Sequence, residues 1–219
     1  INKDLSSSNK MFRLLQGDVG SGKTIVSLLA ALNTINSGFQ VAIMTPTEIL
    51  ARQHFNLAKK IFPKNINLEL ISGKSEYSIK KEILKNLENN KINIIFGTHA
   101  VFQKKVIFKK LGLIIIDEQH KFGVNQRKRL SDKGGVDCDV LLMTATPIPR
   151  TLTMTIYGDM DISIIREKPK NRKPIKTYSK LEAKIDDVLK FVDRQIKLGN
   201  QIFWVCPLIE ESKKLDHTS

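Results

Sequence analysis

The chain has 219 residues, 41% of them hydrophobic and 26% charged, with a mean hydropathy of −0.18. That is apolar material for one buried core and part of a second, and the longest apolar stretch, Leu111 to Ile116, is far short of the roughly 20 residues that span a bilayer. Cys138 and Cys206 lie far apart without Cys-x-x-Cys or Cys/His ligand spacing, which speaks against a disulfide scaffold and a zinc site and fits a reducing, cytoplasmic compartment. The formal net charge of +14 favours a polyanionic partner, but a chain rich in Lys, Asn and Ile is also what an AT-rich coding sequence yields, so charge alone leaves nucleic-acid binding open.

Residues 1–11 read as the tail of a helix followed by a polar loop. The apolar pair Leu14-Leu15 then leads into Gly17-Asp18-Val19-Gly20-Ser21-Gly22-Lys23-Thr24, and a helical apolar pattern runs from Ile25 to Ile35. Strand, phosphate loop, helix is the order this spacing predicts. Glycines at 17, 20 and 22 let backbone N–H groups turn towards phosphate oxygens, and the helix start adds partial positive charge. Lys23 is then expected to reach the β- and γ-phosphates of a nucleotide and the Thr24 hydroxyl to ligate Mg²⁺. A solvated glycine-rich turn is the alternative for the bare pattern, and the apolar flanks argue against it.

Gly38 supplies a helix stop, and Gln40 to Thr45 reads as the next strand. Pro46-Thr47-Glu48 opens a helix that continues through Phe62, with Thr47 near the N-cap. Asn67 to Ile71 is a third strand ending in Ser72-Gly73, residues 76–90 are a surface helix, and Ile92 to Phe96 is a fourth strand ending in Gly97-Thr98-His99-Ala100. Leu111 to Ile116 and Val140 to Met143 are the fifth and sixth. Apolar strands separated by helices predict a doubly wound α/β fold, a parallel sheet with helices on both faces. The polar segments all fall at carboxyl ends of strands, where such sheets bind ligands, so they are expected along one edge.

Asp117-Glu118 follow the apolar fifth strand. A carboxylate there needs a cation partner, and Mg²⁺ on a nucleotide would supply it, so Asp117 reads as the metal-side acid. Glu118, next along the pleat, is expected to orient or deprotonate the attacking water, with His120 joining the same network. The start of a solvent loop is the plainer alternative. Thr144-Ala145-Thr146-Pro147 ends the sixth strand, where two hydroxyls would sense the γ-phosphate or simply make a turn. His54, His99 and His217 have no metal partner at a ligand spacing.

Past Met160 the text changes, and Arg166 to Pro174 reads as a linker between a first domain over residues 1–165 and a second that opens at 175. Ile175 to Tyr178, a helix around Ile185 to Leu198 and a strand Ile202 to Cys206 make the start of that second domain, too short to bury a core. The chain opens on Ile1 and is expected to be cut from something longer.

GDVGSGKT at 17–24, PTEILARQH at 46–54, GTHA at 97–100, DEQH at 117–120 followed by KFGVNQR, and TATPIPRT at 144–151 are similar in order and spacing to motifs I, Ia, Ib, II and III of superfamily 2 helicases. Within that superfamily the text most resembles the RecG family of bacterial branch-migration helicases, through DEQH-x-FGV, Tyr157-Gly158-Asp159, Ser163-Ile164-Ile165 and Gln201 to Ser212. Transcription-repair coupling translocases share TATPIPRT and the FGV, but usually carry Glu where this chain has Gln119 and Phe where it has Ser21.

The resemblance implies a RecA-like P-loop motor domain with ATP and Mg²⁺ as cofactors. Gly17 to Thr24 would hold the nucleotide, Lys23, Asp117, Glu118 and His120 would serve hydrolysis, and Gln119, Thr144, Ala145 and Thr146 would couple it to movement. Pro46, Thr47, Arg52, Ser72, Gly73, Gly97, Thr98 and His99 would touch the DNA backbone. Forked or four-way DNA in recombination and repair, handled by a monomeric motor, is the implied partner. The family's wedge domain and arginine-bearing motif VI are not found in these 219 residues, so slow turnover of the chain alone is expected. A nucleotide-gated DNA-binding module without motor activity is the competing reading of another class.

Overall fold

The structure, a computed structural model, describes residues 1–73, 77–103, 105–118, 138–146, 160–167 and 175–205. The chain divides into two compact units, Ile1–Arg172 and Lys173–Ser219.

The first unit opens with a short helix α1 (Asn2–Leu5) and then alternates strand and helix: β1 (Phe12–Gly17), α2 (Lys23–Asn36), β2 (Gln40–Met44), α3 (Glu48–Ile61), β3 (Leu68–Ile71), α4 (Tyr77–Glu88) and β4 (Ile94–Gly97). A 3-10 turn at His99–Phe102 leads towards β5 (Leu111–Ile116), followed by β6 (Asp139–Thr144) and β7 (Asp161–Ile165). The seven strands form one parallel sheet in the order β3-β4-β2-β5-β6-β1-β7.

Alternate residues of each strand face opposite sides of a sheet, and apolar residues at nearly every position mean that both sides are covered. On one face Val41, Ile43, Ile94, Phe96, Leu113 and Ile115 pack with Leu28, Ala31 and Ile35 of α2 and Ala58 of α3. On the other, Ala42 and Ile95 pack with Ile83 and Leu87 of α4, and Leu14, Met44, Ile114 and Ile116 form a further cluster. The doubly wound expectation is met.

Local chemistry fixes the element ends. Thr47 caps α3, its side-chain oxygen accepting from the Leu50 N–H at 3.3 Å. α2 stops at Gly38, whose φ of +85° only glycine adopts without strain, and the Phe39 N–H returns to the Thr34 carbonyl. Gln40, 1% exposed, stitches β2 to its surroundings: its amide nitrogen donates to the carbonyls of Leu87 and Ile92, and its Oε1 accepts the N–H groups of Lys109 and Lys110.

The strand β7 is absent from the sequence reading. It is a short edge strand, half-exposed, whose mixed text (Asp161-Ile-Ser-Ile-Ile165) lacks the apolar run of the central strands. Arg13 of β1 secures it, donating to Ser163 Oγ (3.0 Å) and Asp161 (3.2 Å) while pairing with Asp4 of α1 at 2.6 Å. That hydrogen bond from Arg13 holds the Asp4 carboxyl below the usual carboxylate range.

In the second unit a 3-10 turn (Glu182–Lys184) runs into α5 (Ile185–Lys197), which carries an Asp193–Lys197 ion pair at 2.7 Å. Residues 201–205 form no strand, against the expectation for Ile202 to Cys206, because a strand needs a paired neighbour and none of the described residues provides one.

Candidate functional site

The sheet order gathers the expected segments along one edge and sorts them into two groups. At the carboxyl ends of β1, β6 and β5, which are neighbours, stand the phosphate loop, Thr144 to Thr146, and Asp117-Glu118. At the ends of β2, β4 and β3, also neighbours, stand Pro46-Thr47, Gly97-Thr98-His99 and Ser72-Gly73. Register keeps the ends level: Gln16 pairs with Thr144, and Ile116 with Leu142.

Within the loop, Gly22 sits at the helix N-cap with φ +97° and offers no side chain to the first helical N–H groups. A Cβ placed on Gly22 would meet nothing within 4 Å, so it is the positive φ rather than crowding that calls for glycine there. The Lys23 ammonium donates to the carbonyls of Gly17 (2.7 Å) and Asp18 (3.0 Å), which pins it across the loop and, among the described residues, leaves the third of its donors for a ligand. Asp18 accepts the Val19 N–H at 2.7 Å and, through its carbonyl, the Ser21 N–H. Gly20 takes φ +80°, and Thr24, half-buried in the first turn of α2, gives its carbonyl to Ser27 Oγ. Ser21 Oγ is buried and has no hydrogen-bond partner among the described residues, which is what a phosphate oxygen would supply.

Asp117, 8% exposed, is held on three sides. Its N–H donates to the Met44 carbonyl (2.9 Å), Oδ1 accepts the Glu118 N–H (3.0 Å), and Oδ2 lies 2.8 Å from His54 Nε2. Glu118 has φ +49°, in the left-handed region, and β5 ends at Ile116. The turn, rather than the alternation of the pleat, therefore sets the direction of Glu118. A non-glycine residue held there costs of order 1 kcal/mol or more and is a mark of functional turns.

Between the loop and the acids, Thr144 Oγ1 is fully buried, 2.9 Å from Thr146 Oγ1, and accepts the Thr146 N–H. Gln16, next to the end of β1, donates to the Thr146 carbonyl at 3.3 Å and so ties the two strand ends together. Ala145 lies between them, half-buried. Gln119, His120, residues 121–127 and Pro147 to Thr151 lie outside the described residues.

In the second group Thr47, Arg52, Gly73 and His99 are exposed, Pro46 and Thr98 half-buried, and Ser72 and Gly97 buried. Glu48 accepts the Gly73 N–H at 2.6 Å, and Lys80 donates to the Gly73 carbonyl, so the end of β3 is tied to α3. Gly97 has a packing role of its own: a Cβ there would stand 2.7 Å from the Ile71 carbonyl oxygen and 2.6 Å from a Val101 methyl.

Two site residues were missed by sequence reasoning, Gln16 and His54. The search for metal spacing discounted His54, yet α3 buries Ala51, His54 and Ala58 on one stripe. A polar residue between two alanines on a buried stripe needs a partner, and that pattern was the available signal.

A phosphate loop closing the first strand of a parallel sheet, with an acidic pair and two hydroxyls on the neighbouring strand ends, defines a nucleotide-binding α/β domain, here of the RecA-like helicase kind. The DEAD/DEAH box helicase model matches residues 3–155, and the chain belongs to that family. It is 51% identical over 217 residues to the ATP-dependent DNA helicase RecG of Bacillus subtilis (strain 168), covering 99% of this chain and 32% of that protein. Against the RecG of Aquifex aeolicus (strain VF5) it is 50% identical over 216 residues, covering 98% and 27%. A solved structure of RecG bound to a three-way DNA junction superposes with a TM-score of 0.78 at 42% identity, over 94% of this chain and 28% of that one. The RecG likeness read from the motifs is borne out. The chain spans about a third of the length of the curated relatives it matches. No described helix is long and apolar enough to cross a membrane.

Proposed function

We propose that the chain is the ATP-binding motor domain, with the opening of a second, of a monomeric DNA helicase that acts on branched DNA such as forks and four-way junctions in recombination and repair. The observation that carries this reading is the neighbouring placement of phosphate loop, hydroxyl pair and acids on β1, β6 and β5, joined by the Gln16–Thr146 bond. The likeness to RecG, one member of which is solved on a three-way DNA junction, supports the DNA partner.

The donor set fits Mg·ATP. The loop amides, the third Lys23 donor and the orphaned Ser21 hydroxyl suit phosphate oxygens, while Thr24 and Asp117 are a hydroxyl and a carboxylate of the kind that hold Mg²⁺. Bound there, the metal would neutralise charge on the β- and γ-phosphates. Lys23 fixes the phosphates, and Glu118 orients the attacking water and takes its proton. Thr144 and Thr146, one strand from both, change partners as the γ-phosphate leaves, and Gln119 and His120 would extend the same line. Pro46, Thr47, Arg52, Ser72, Gly73, Gly97, Thr98 and His99 lie at the other half of the edge, where backbone contacts position a strand without reading its sequence.

ATP hydrolysis by the gene-encoded, full-length protein without DNA, with duplex and with a synthetic fork tests the reading. Strong stimulation by the fork is expected. Nucleotide binding without stimulation would refute the motor and favour a nucleotide-gated binding module.

A further inference from the structure

Helix α3 begins among the segments proposed to touch DNA, at Thr47, and two turns later presents His54 to the other half of the edge. His54 is 8% exposed, and its Nε2 stands 2.8 Å from Asp117 Oδ2. A carboxylate oxygen only accepts, so Nε2 is the donor and carries a proton in this contact. The alanines on either side, Ala51 and Ala58, at 1% and 0% exposure, let the helix approach the sheet closely enough for the imidazole to reach. The other oxygen, Oδ1, takes the Glu118 N–H. Among the described residues each oxygen thus has one lone pair engaged, which leaves another for a metal or its water. With both oxygens tethered, the carboxylate has no freedom to rotate about its last bond.

We propose that His54 is a positioning residue for the metal-side acid: it fixes the Asp117 carboxylate in the orientation that receives Mg²⁺ on the nucleotide, and so ties the DNA-side helix α3 directly to the ATP site. This rests on the reading of Asp117 as that acid. Outer partners that orient a ligating side chain change metal affinity about 10- to 100-fold when removed. Helix α3 links the two halves in this arrangement, since its N-cap Thr47 and its Glu48–Gly73 tether lie at the DNA-side end and His54 stands two turns further along the same helix.

The experiment measures how much Mg²⁺ is needed to tighten binding of a fluorescent, non-hydrolysable ATP analogue to the full-length protein, a readout independent of turnover. His54→Leu is expected to raise the Mg²⁺ midpoint about tenfold or more, while affinity for the analogue in EDTA is unchanged. His54→Gln, whose amide nitrogen reaches the place of Nε2, is expected to restore most of it, whereas His54→Asn, one bond shorter, is not. Should His54→Leu fail to fold, the Gln and Asn pair still decides, both being polar and differing in reach. A wild-type midpoint in His54→Leu or His54→Asn, or a defect that Gln leaves untouched, overturns the inference. Asp117→Asn is the separating control: an unchanged midpoint there overturns the reading of the acid and the inference with it, while a raised midpoint there beside a normal one in the His54 variants overturns only the inference.

Discussion

Gln40→Met removes four hydrogen bonds while nearly keeping the side chain's volume, and its cost follows from the bonds themselves. Two carbonyls, of Leu87 and Ile92, lose a donor at 2.8 and 2.9 Å, and two N–H groups, of Lys109 and Lys110, lose an acceptor at 2.9 and 3.1 Å. A buried group left without a partner costs about 1–3 kcal/mol. The Ile92 carbonyl sits against a side chain only 1% exposed and bears the full cost, the Leu87 carbonyl keeps the Asn90 N–H at 3.2 Å, and the lysine N–H groups are partly buried and recover some of the cost from water. The total is about 2–5 kcal/mol, a sizeable share of the 5–15 kcal/mol that keeps a typical domain folded. Urea unfolding of residues 1–172, followed by circular dichroism, would show the midpoint fall with little change in slope. A loss under about 1 kcal/mol, the size of one exposed bond, would refute the claim that Gln40 is the junction between β2, the end of α4 and the approach to β5.

Lys23→Ala removes a charge-assisted contact worth about 1.5–3 kcal/mol, so nucleotide affinity by titration is expected to fall about 10- to 100-fold, and unchanged affinity would remove Lys23 from the site. Glu118→Gln is expected to keep nucleotide affinity and lose about 10²- to 10⁴-fold in hydrolysis by the full-length protein, so wild-type turnover would exclude Glu118 as the base. Cys138 is 1% exposed and burial pushes its thiol up to about 12, so its alkylation in the folded protein at pH 8 should be far slower than that of a free cysteine; rapid labelling would show that the start of β6 opens. Asp4 titrates below its ordinary value because Arg13 bonds its charged form, so its contribution to stability is present above the usual carboxylate pKa and fades as pH falls through the depressed one. Asp4→Asn should flatten stability in that acid window, and an unchanged acid profile would show that the pair is idle.

The central strands were legible because a strand buried on both faces must be apolar throughout, and Val41 to Met44 and Leu113 to Ile116 have that text. The strand β7 was not, since an edge strand paired only with β1 needs no such run. The phosphate loop and the Asp117-Glu118 pair stood out for a chemical reason: their residue types and spacing are those that phosphate and metal binding would ask for. Strand order was another matter. The insertion of β6 between β1 and β5, which makes Thr144 to Thr146 the link between loop and acids, depends on pairing between segments 128 residues apart, as in the register of Gln16 with Thr144. The His54–Asp117 contact joins residues 63 apart and was hidden for the same reason, although the stripe Ala51, His54, Ala58 already asked for a buried partner.

The claim that one sheet edge is split into a nucleotide half and a DNA half is tested most directly by hydrogen exchange on the full-length protein, measured with Mg²⁺ and a non-hydrolysable ATP analogue, with forked DNA, and with neither. The account predicts that the analogue protects residues 17–24 and 117–118, and that DNA protects 46–52, 72–73 and 97–99. Protection of both groups by the analogue alone, or DNA protection confined to the opposite edge of the sheet, would contradict it.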